Sequence, residues 1–350
     1  MDILNETQFS AELRQQAKQL TAHCSLYRDA NNRSAAIQLI TTGVPFFALV
    51  AFMFWVAPHA YWLSLLLAIP AGALLTRFFA LQHDCGHGSL FPSRPTNEMF
   101  GRLISVLTFT PYDHWRRSHA LHHALSGNLD KRGFGDIETM TVKEYSQLNS
   151  WGRLRYRLYR NPLIVLVLGP PLFFLVLQRL AIGSNMPMRD SLRGILGHDA
   201  VLLLVYGTLV FLVGLSLTLL VLLPIYFVAT WIGGWLFFVQ HQFEETHWEG
   251  ADEWDIKIAA LKGSSYLVMP PILNWFSCNI ALHHIHHLCS RIPNYRLQEC
   301  LSANEELRTV SPRLTIIEAL KSARLALWDE TSRRLISFRE YARTQQALAA

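Results

Sequence analysis

Long apolar runs separated by polar segments dominate the chain. Residues 38–57 and 61–81 form two such runs, each close to the roughly 20 residues that a helix needs to cross a bilayer. Residues 200–240 are almost continuously apolar, and one helix of that length would measure about 60 Å, about twice the hydrocarbon core. We therefore predict two further spans, about 200–216 and 219–240, with a tight turn near Ser216 to Thr218. The pattern indicates four transmembrane helices arranged as two hairpins.

A shorter apolar segment, residues 163–178, contains Gly169-Pro170-Pro171, and proline interrupts helical hydrogen bonding. The charged segments on either side of residues 163–178 indicate whether this segment crosses the membrane. All but one of the 31 Lys and Arg residues lie in four segments: 1–36, 82–162, 179–198 and 241–350. The positive-inside rule places all four segments in the cytoplasm. We therefore expect residues 163–178 to be interfacial or re-entrant, and both termini to be cytoplasmic.

The two ends of the chain are predicted to lie outside the membrane. Residues 1–36 indicate a short amino-terminal arm, residues 37–300 the main domain, and residues 301–350 a helical carboxy-terminal segment. In that last segment Ser311-Pro312 is typical of a helix start. The apolar residues that follow recur at helical spacing: Ile316, Leu320, Ala323 and Leu327. The predicted fold class is an all-α integral membrane protein with a cytoplasmic helical cap.

Composition supports a membrane protein and argues against other classes. Hydrophobic residues make up 51% of the chain and charged residues 16%, whereas charged residues are near ~25% in soluble domains. The net charge of +5 comes with no dense basic run, which disfavours nucleic acid as a partner. Five cysteines without a CxxC pair favour a reducing compartment and no disulfide framework.

Histidines are concentrated in three polar clusters beside the apolar runs, at 83–87, 119–123 and 283–287, and His241 stands at the end of the last run. Spacings of three and four residues place side chains on one face of a helix. Nine imidazoles can therefore converge, while His284 points elsewhere: His83, His87, His119, His122, His123, His241, His283, His286 and His287. Nine ligands are too many for one ion, so the pattern indicates two. Imidazole suits iron, zinc, copper and nickel, so these residues leave the metal open.

Carboxylates near these clusters are candidates for orienting the histidines, because metal-bound imidazoles usually donate their second N–H to a carboxylate or a carbonyl. Glu244 lies three residues after His241, and Asp136 follows the second cluster. Isolated histidines are usually ordinary core or surface residues, and four are assigned so here: His23, His59, His198 and His247. His114 and His284 lie close enough to the clusters for a lesser role.

The sequence motifs in these segments resemble those of membrane fatty-acid desaturases, and most closely those of the bacterial delta-12 or omega-6 group. The resemblance implies a location in a bacterial inner membrane. The resemblance covers residues 37 to 300 and rests on five motifs: HDCGHGSLF at 83–91, HWRRSHALHH at 114–123, GFGDIETMTVKEY at 133–145, VQHQFEETHW at 239–248 and NIALHHIHHLCSRIPNYRL at 279–297. It implies two iron ions held by the nine histidines. It also implies a water-mediated ligand role for Asn279, which precedes His283 by four residues on the helical face expected there.

The implied reaction inserts a cis double bond into an acyl chain, carried by a lipid or by coenzyme A. It uses O2, two electrons and two protons, and it releases water. The sequence contains no His-Pro-Gly-Gly haem motif, no four-cysteine iron–sulfur pattern and no GxGxxG loop. The electrons are therefore expected from an external donor, a ferredoxin or a cytochrome.

Two other functions fit parts of the pattern. A related di-iron membrane oxygenase, such as a carotenoid ketolase or hydroxylase or an alkane hydroxylase, shares clustered histidines. The HDCGH and IPNY motifs favour a desaturase, and an alkene or an inserted oxygen in the product would distinguish the two. A membrane metal carrier should place ionisable residues near the middle of its spans. Here the apolar runs contain only Arg77, near one end, and His241 at a boundary.

Overall fold

The structure is a computed structural model that describes residues 3–133, 135–181 and 187–349. Phe134 of the motif at 133–145, and the extreme ends of the predicted terminal segments, lie outside these ranges. The first half of the chain forms eight helices: α1 (Ile3–Ser25), α2 (Asn32–Val56), α3 (Tyr61–His87), α4 (Arg94–Thr108), α5 (Tyr112–Leu125), α6 (Val142–Gln147), α7 (Ser150–Tyr159) and α8 (Gly169–Leu175).

The second half is also mainly helical. Its helices in chain order are α9 (Met188–Val213), α10 (Leu215–His241), α11 (Ile256–Lys262), α12 (Pro271–Phe276), α13 (His283–Leu288), α14 (Asn294–Ser302), α15 (Glu306–Thr309), α16 (Ile316–Ser322) and α17 (Phe338–Ala349). Five short strands accompany them: β1 (Met140–Thr141), β2 (Tyr266–Leu267), β3 (Arg313–Leu314), β4 (Leu325–Asp329) and β5 (Arg334–Ser337). The prediction of a purely α-helical fold is therefore wrong in this detail.

Four helices in the described residues are long and apolar enough to cross a membrane: α2, α3, α9 and α10, of 25, 27, 26 and 27 residues. Helix α3 lies at the centre, packed against α2, α4 and α10. In its most apolar stretch 56% of residues are buried, against 11% in α9, which presents nearly all of its apolar surface outwards. An outward apolar surface of that extent is what a lipid bilayer stabilises.

The turn between the last two spans lies at Gly214, earlier than the predicted position near Ser216 to Thr218. Gly214 has φ of +86°, and the helices on either side end and begin at the adjacent residues, Val213 and Leu215. Only glycine adopts this conformation without a steric cost from Cβ. Ser216 and Thr218 are instead in the first turn of α10, where the Thr218 hydroxyl donates a hydrogen bond to the Gly214 carbonyl.

Residues 163–178 form a broken helix. A π-helical stretch at Leu163–Leu168 leads into α8, and a short 3₁₀ turn follows at Leu177–Arg179. The whole segment is bent by 49° from α7. It packs on α10, where the Trp231 indole donates a hydrogen bond to the Val167 carbonyl over 2.9 Å. This shape fits a broken span or a re-entrant loop, and its interfacial position stays a prediction.

The predicted helix that starts at Ser311-Pro312 and includes Leu327 is wrong in its bounds. Helix α16 starts after Thr315, which forms a capping box with Glu318, and not at Ser311-Pro312. The helix ends at Ser322, and Leu327 is a buried residue of β4. Strand β4 pairs antiparallel with β5 and parallel with β1. The apolar spacing was compatible with a helix. In the structure Leu327 belongs to a strand, and its side chain is buried in the cluster that contains Tyr145 and Tyr156.

Arg77 is a buried cation on α3, 1% exposed. Its Nε donates to the Thr42 hydroxyl over 2.9 Å, and its other nitrogens donate to the Gln38 side chain and the Trp275 carbonyl. The guanidinium also lies 4.0 Å from the centre of the Trp275 ring. Because a buried charge is tolerated only when its donors are satisfied, Arg77 joins α2, α3 and the end of α12 at one point.

The contact between α3 and α10 should be sensitive to a single methyl group at Gly72. A Cβ atom there would lie 2.5 Å from Val228 Cγ1 and 3.1 Å from the backbone nitrogen of Ala229. We expect Gly72→Ala to destabilise the protein by about 1–3 kcal/mol through overpacking. The measurement is the apparent Tm of the purified protein in detergent.

Gly233→Ala on α10 is the matched control, since a Cβ atom at Gly233 meets nothing within 4 Å. Both substitutions improve helix propensity, so the control should leave Tm unchanged or slightly higher. Equal Tm values for the two variants would show that α3 and α10 do not pack as described.

Candidate metal centre

Four separate elements converge on one region and bring the nine histidines together. Helix α3 ends at His87, and Gly88 follows in the left-handed conformation, with φ of +70°. Helix α5 carries the second cluster, α10 ends at His241, and the short helix α13 carries the third cluster. The ends of two candidate spans are therefore joined to two helices that lie outside the spans.

The nine imidazoles form two groups, and within each group the ligand nitrogens lie within 4.8 Å of one another. The five-histidine group contains His83, His87, His119, His123 and His286. The four-histidine group contains His122, His241, His283 and His287. Each group therefore combines histidines from α5 and α13 with histidines at the end of a candidate span, two from α3 in the five-histidine group and one from α10 in the four-histidine group.

The nitrogen spacing in the five-histidine group fits a metal ion. Nε2 of His87 lies 3.3 Å from Nε2 of His83 and 3.0 Å from Nε2 of His119. Nε2 of His123 lies 3.1 Å from the same atoms of His119 and His286. Adjacent ligands of an octahedral ion stand about 3.0 Å apart when each metal–nitrogen bond is about 2.1 Å. The group therefore has the donor type and the spacing of a metal site.

The four-histidine group has the same spacing and is held more rigidly. Nε2 of His241 lies 3.1 Å from Nε2 of His122 and 2.9 Å from Nε2 of His283. On the opposite edges of these rings, His122 Nδ1 donates to Asp136 Oδ1, and His241 Nδ1 lies 3.1 Å from the Gly263 carbonyl oxygen. Both contacts place the proton on Nδ1 and leave the Nε2 lone pair directed into the group.

Two residues proposed from sequence for the surroundings of the site make hydrogen bonds or ion pairs with residues outside the histidine groups. Glu244 is exposed, and its carboxylate pairs with Arg334 over 2.9 Å. The expected three-residue helical spacing from His241 fails, because α10 ends at His241. Likewise, α13 begins only at His283, so Asn279 does not share its helical face. The Asn279 side chain donates to the Asn294 carbonyl over 3.1 Å.

The remaining histidines make other contacts. His284 is fully buried and lies 2.9 Å from the Leu307 carbonyl oxygen. His23, His59 and His198 contact backbone carbonyls in the same way. His247 lies 3.9 Å from Glu249, and His114 is buried on α5 outside both groups.

Aromatic side chains cover the imidazoles on the apolar side. Trp115 stacks on His119 at 4.9 Å and 11°, and Phe237 contacts both His122 and His241. Sequence reasoning did not single out either residue, although each precedes a histidine on the same helix face by four positions: Trp115 before His119, Phe237 before His241. The Gly263 carbonyl carries no side-chain signal at all, so only the fold reveals it.

Burial and the neighbouring imidazoles hold the pKa values of the extramembrane group members well below their ordinary value of 6.5. This applies to His119, His123, His283, His286 and His287. Neutral imidazole is the form that binds a metal ion. Burial, and then the neighbouring imidazoles, thus keep these five residues in the form that binds metal at neutral pH.

Comparison with known proteins yields a consistent set of matches. The family model described as fatty acid desaturase matches residues 60–313. A Bacillus subtilis protein named fatty acid desaturase is 39% identical over 323 residues, which is 92% of this chain and 91% of the relative.

Relatives with more specific names are more distant. A Synechocystis protein named sn-1 acyl-lipid omega-3 desaturase (ferredoxin) is 29% identical, covering 74% of this chain and 70% of the relative. An Anabaena variabilis protein named sn-1 oleoyl-lipid 12-desaturase is 26% identical, covering 79% and 77%.

Each histidine group should bind one divalent metal ion. We expect the wild-type protein, loaded anaerobically with Fe2+ and desalted, to retain two ions per chain by inductively coupled plasma mass spectrometry. His123→Ala in the five-histidine group and His283→Ala in the four-histidine group should each lower this number towards one. His284→Ala is the matched control within α13, and it should retain two ions. Loss of metal in the control alone would contradict the grouping.

The metal-free protein should lose stability in mild acid. His119, His123, His283, His286 and His287 have folded-state pKa values below 6.5, so below pH 6.5 the unfolded chain takes up protons on these residues that the folded chain does not. The free energy of unfolding therefore falls as pH decreases from 6.5. We expect the apparent Tm of the chelator-treated protein to drop between pH 7.5 and 5.5. A constant or rising Tm over this window would show that these imidazoles are not buried and neutral.

Proposed function

The chain belongs to the fatty acid desaturase family, a class of oxidoreductases, and on this premise we propose that it introduces a cis double bond into an acyl chain of a membrane lipid. The reaction uses O2 and two electrons from an external protein. The observation that carries this proposal is the convergence of nine imidazoles into two groups where apolar helices end.

The proposed cofactor is a pair of iron ions, one in the five-histidine group and one in the four-histidine group. Iron is general in the family, and a donor set made only of imidazoles suits it. Bound iron supplies the O2 activation that removal of hydrogen from an unactivated methylene requires, which acid–base side chains cannot provide. Ligands are proposed to be all nine histidines of the two groups.

The proposed contributions of the protein are to orient the histidine ligands and to keep water away from them. Asp136 and the Gly263 carbonyl hold His122 and His241 with Nε2 directed into the four-histidine group. Trp115 and Phe237 form apolar walls beside the imidazoles, which excludes water and fits an acyl chain better than a polar substrate. The acyl chain would reach these aromatic side chains from the bilayer, along the outward apolar surfaces of the spans.

The order of the histidines and the spans along the chain supports a location of both histidine groups on one side of the membrane. Both groups combine histidines that precede residues 163–178 with histidines that follow α10. If α9 and α10 each cross the membrane once, residues 163–178 must begin and end on the same side. We therefore propose that this segment does not cross. The distribution of Lys and Arg assigns this side, together with both termini, to the cytoplasm.

Substrate and donor are proposed from the relatives. The names of the Synechocystis and Anabaena proteins specify acyl lipids, so we favour a lipid-bound acyl chain over acyl-CoA. The Synechocystis name also specifies ferredoxin, which makes a ferredoxin the first donor to supply, with a membrane cytochrome as the second. A delta-12 or omega-6 position for the double bond follows the sequence resemblance and the Anabaena name.

Lipid analysis of cells that express the protein tests the proposal. In a bacterial host without an acyl-lipid desaturase, supplied with a ferredoxin and its reductase, we expect new unsaturated acyl chains in the phospholipid fraction. Gas chromatography–mass spectrometry with double-bond localisation gives the position. His286→Ala should abolish the product, and His284→Ala should retain it.

The negative outcomes are distinct. Hydroxylated or ketone-bearing lipids in place of alkenes would identify a related oxygenase. Iron-loaded protein that changes no lipid with either donor would contradict a desaturase function.

A further inference from the structure

Asp84 is a buried carboxylate next to the five-histidine group, and the function proposed above gives it no role. It lies on α3 between two residues of the first cluster and is 4% exposed. Its Oδ2 accepts two hydrogen bonds from Asn294, one from the backbone nitrogen at 2.8 Å and one from Nδ2 at 2.9 Å. Its other oxygen, Oδ1, lies 3.6 Å from His83 Nδ1.

His83 needs an acceptor at that position. Its Nε2 faces Nε2 of His87 within the five-histidine group. If Nε2 binds metal, Nδ1 must carry the proton. Nδ1 of His83 is buried and has no hydrogen-bond partner among the described residues. A buried N–H without an acceptor is costly, and the nearby carboxylate oxygen of Asp84 can accept it after a small rotation of the side chain.

We propose that Asp84 is a positioning residue for His83, and that Asn294 holds the Asp84 carboxylate in place. The carboxylate would accept the Nδ1 proton and keep the Nε2 lone pair directed at the metal. Asp136 already makes this contact with His122 in the four-histidine group. The inference rests on the proposed metal site, and it gives each group one carboxylate behind one histidine.

The structure also explains why Asn294 can hold Asp84. Asn294 begins α14, and the next residue, Tyr295, donates its hydroxyl proton to the Leu90 carbonyl over 3.1 Å. The same hydroxyl accepts a hydrogen bond from the Asn31 backbone nitrogen at 2.8 Å. Asn31 caps the start of α2. In the IPNY motif, Asn294 therefore holds the Asp84 carboxylate, and Tyr295 holds the backbone of Leu90 and Asn31 nearby.

An isosteric change distinguishes positioning from simple structural clamping. In Asp84→Asn the amide oxygen can take the place of Oδ2 and accept both bonds from Asn294, which leaves the amide NH2 facing His83 Nδ1. We expect the apparent Tm to stay near that of wild type, while Fe2+ binding at one of the two sites weakens by roughly 10- to 100-fold, the usual effect of losing an outer partner of a metal-bound histidine. Asp84→Ala, which also removes the acceptor for Asn294, should lower both Tm and iron affinity.

The measurements are anaerobic Fe2+ titration against a competing chelator, Mössbauer spectra of the 57Fe-loaded protein, and Tm. The Mössbauer spectrum should lose intensity from one ferrous site in both Asp84 variants. Asn97→Ala is the control: Asn97 is a buried amide bonded to the Phe91 and Ser93 backbone. It should lower Tm and keep both irons.

Other results overturn the proposal. If Asp84→Asn keeps both iron affinities as well as Tm, the pair is only a structural clamp. The same holds if Asp84→Ala lowers Tm while both iron affinities stay as in wild type. If Asp84→Ala does not fold, Asp84→Asn decides alone. Wild-type protein that binds no iron at its histidines would instead refute the proposed function, and this inference with it.

Discussion

Neighbouring imidazole nitrogens approach within 2.9–3.3 Å of one another across four segments of the chain. Nine buried or half-buried polar rings at this spacing are stabilised when something binds their lone pairs, and metal ions do so without adding protons. The rest of the architecture serves this requirement. Helices α3 and α10 must end close to each other, and α5 and α13 must lie beside those ends.

The sequence predicted the parts of the molecule that follow from periodicity and spacing. The four apolar helices were recognised because burial in lipid needs about 20 consecutive apolar residues. The histidine clusters were recognised because helical spacing alone brings their side chains to one face. The helical-spacing arguments for Glu244 and Asn279 failed for one shared reason: the spacing was extended past helix ends at His241 and His283, where it no longer applies.

Contacts between distant segments were beyond the reach of the sequence. The Gly263 carbonyl behind His241 has no side-chain signature, and Trp115 became visible only by its stacking on His119. The pairing of β1 with β4 was missed because it joins residues as far apart in sequence as Met140 and Leu327. Strands β4 and β5 form a local hairpin, but Leu327 also fits the helical spacing that starts at Ile316, and a short apolar run does not distinguish a strand from a helix.

The position of α13 near the end of the chain has a consequence for biosynthesis. Both histidine groups need this helix: His286 completes one, and His283 with His287 supplies half of the other. A nascent chain emerges from the ribosome with its amino terminus first, so α3, α5 and α10 are made before any group has its full set of ligands. The four-histidine group is then only half built. Neither group can therefore have its full set of histidines until α13 has been made, and a chain that stops before residue 283 contains the four apolar helices but lacks a complete centre.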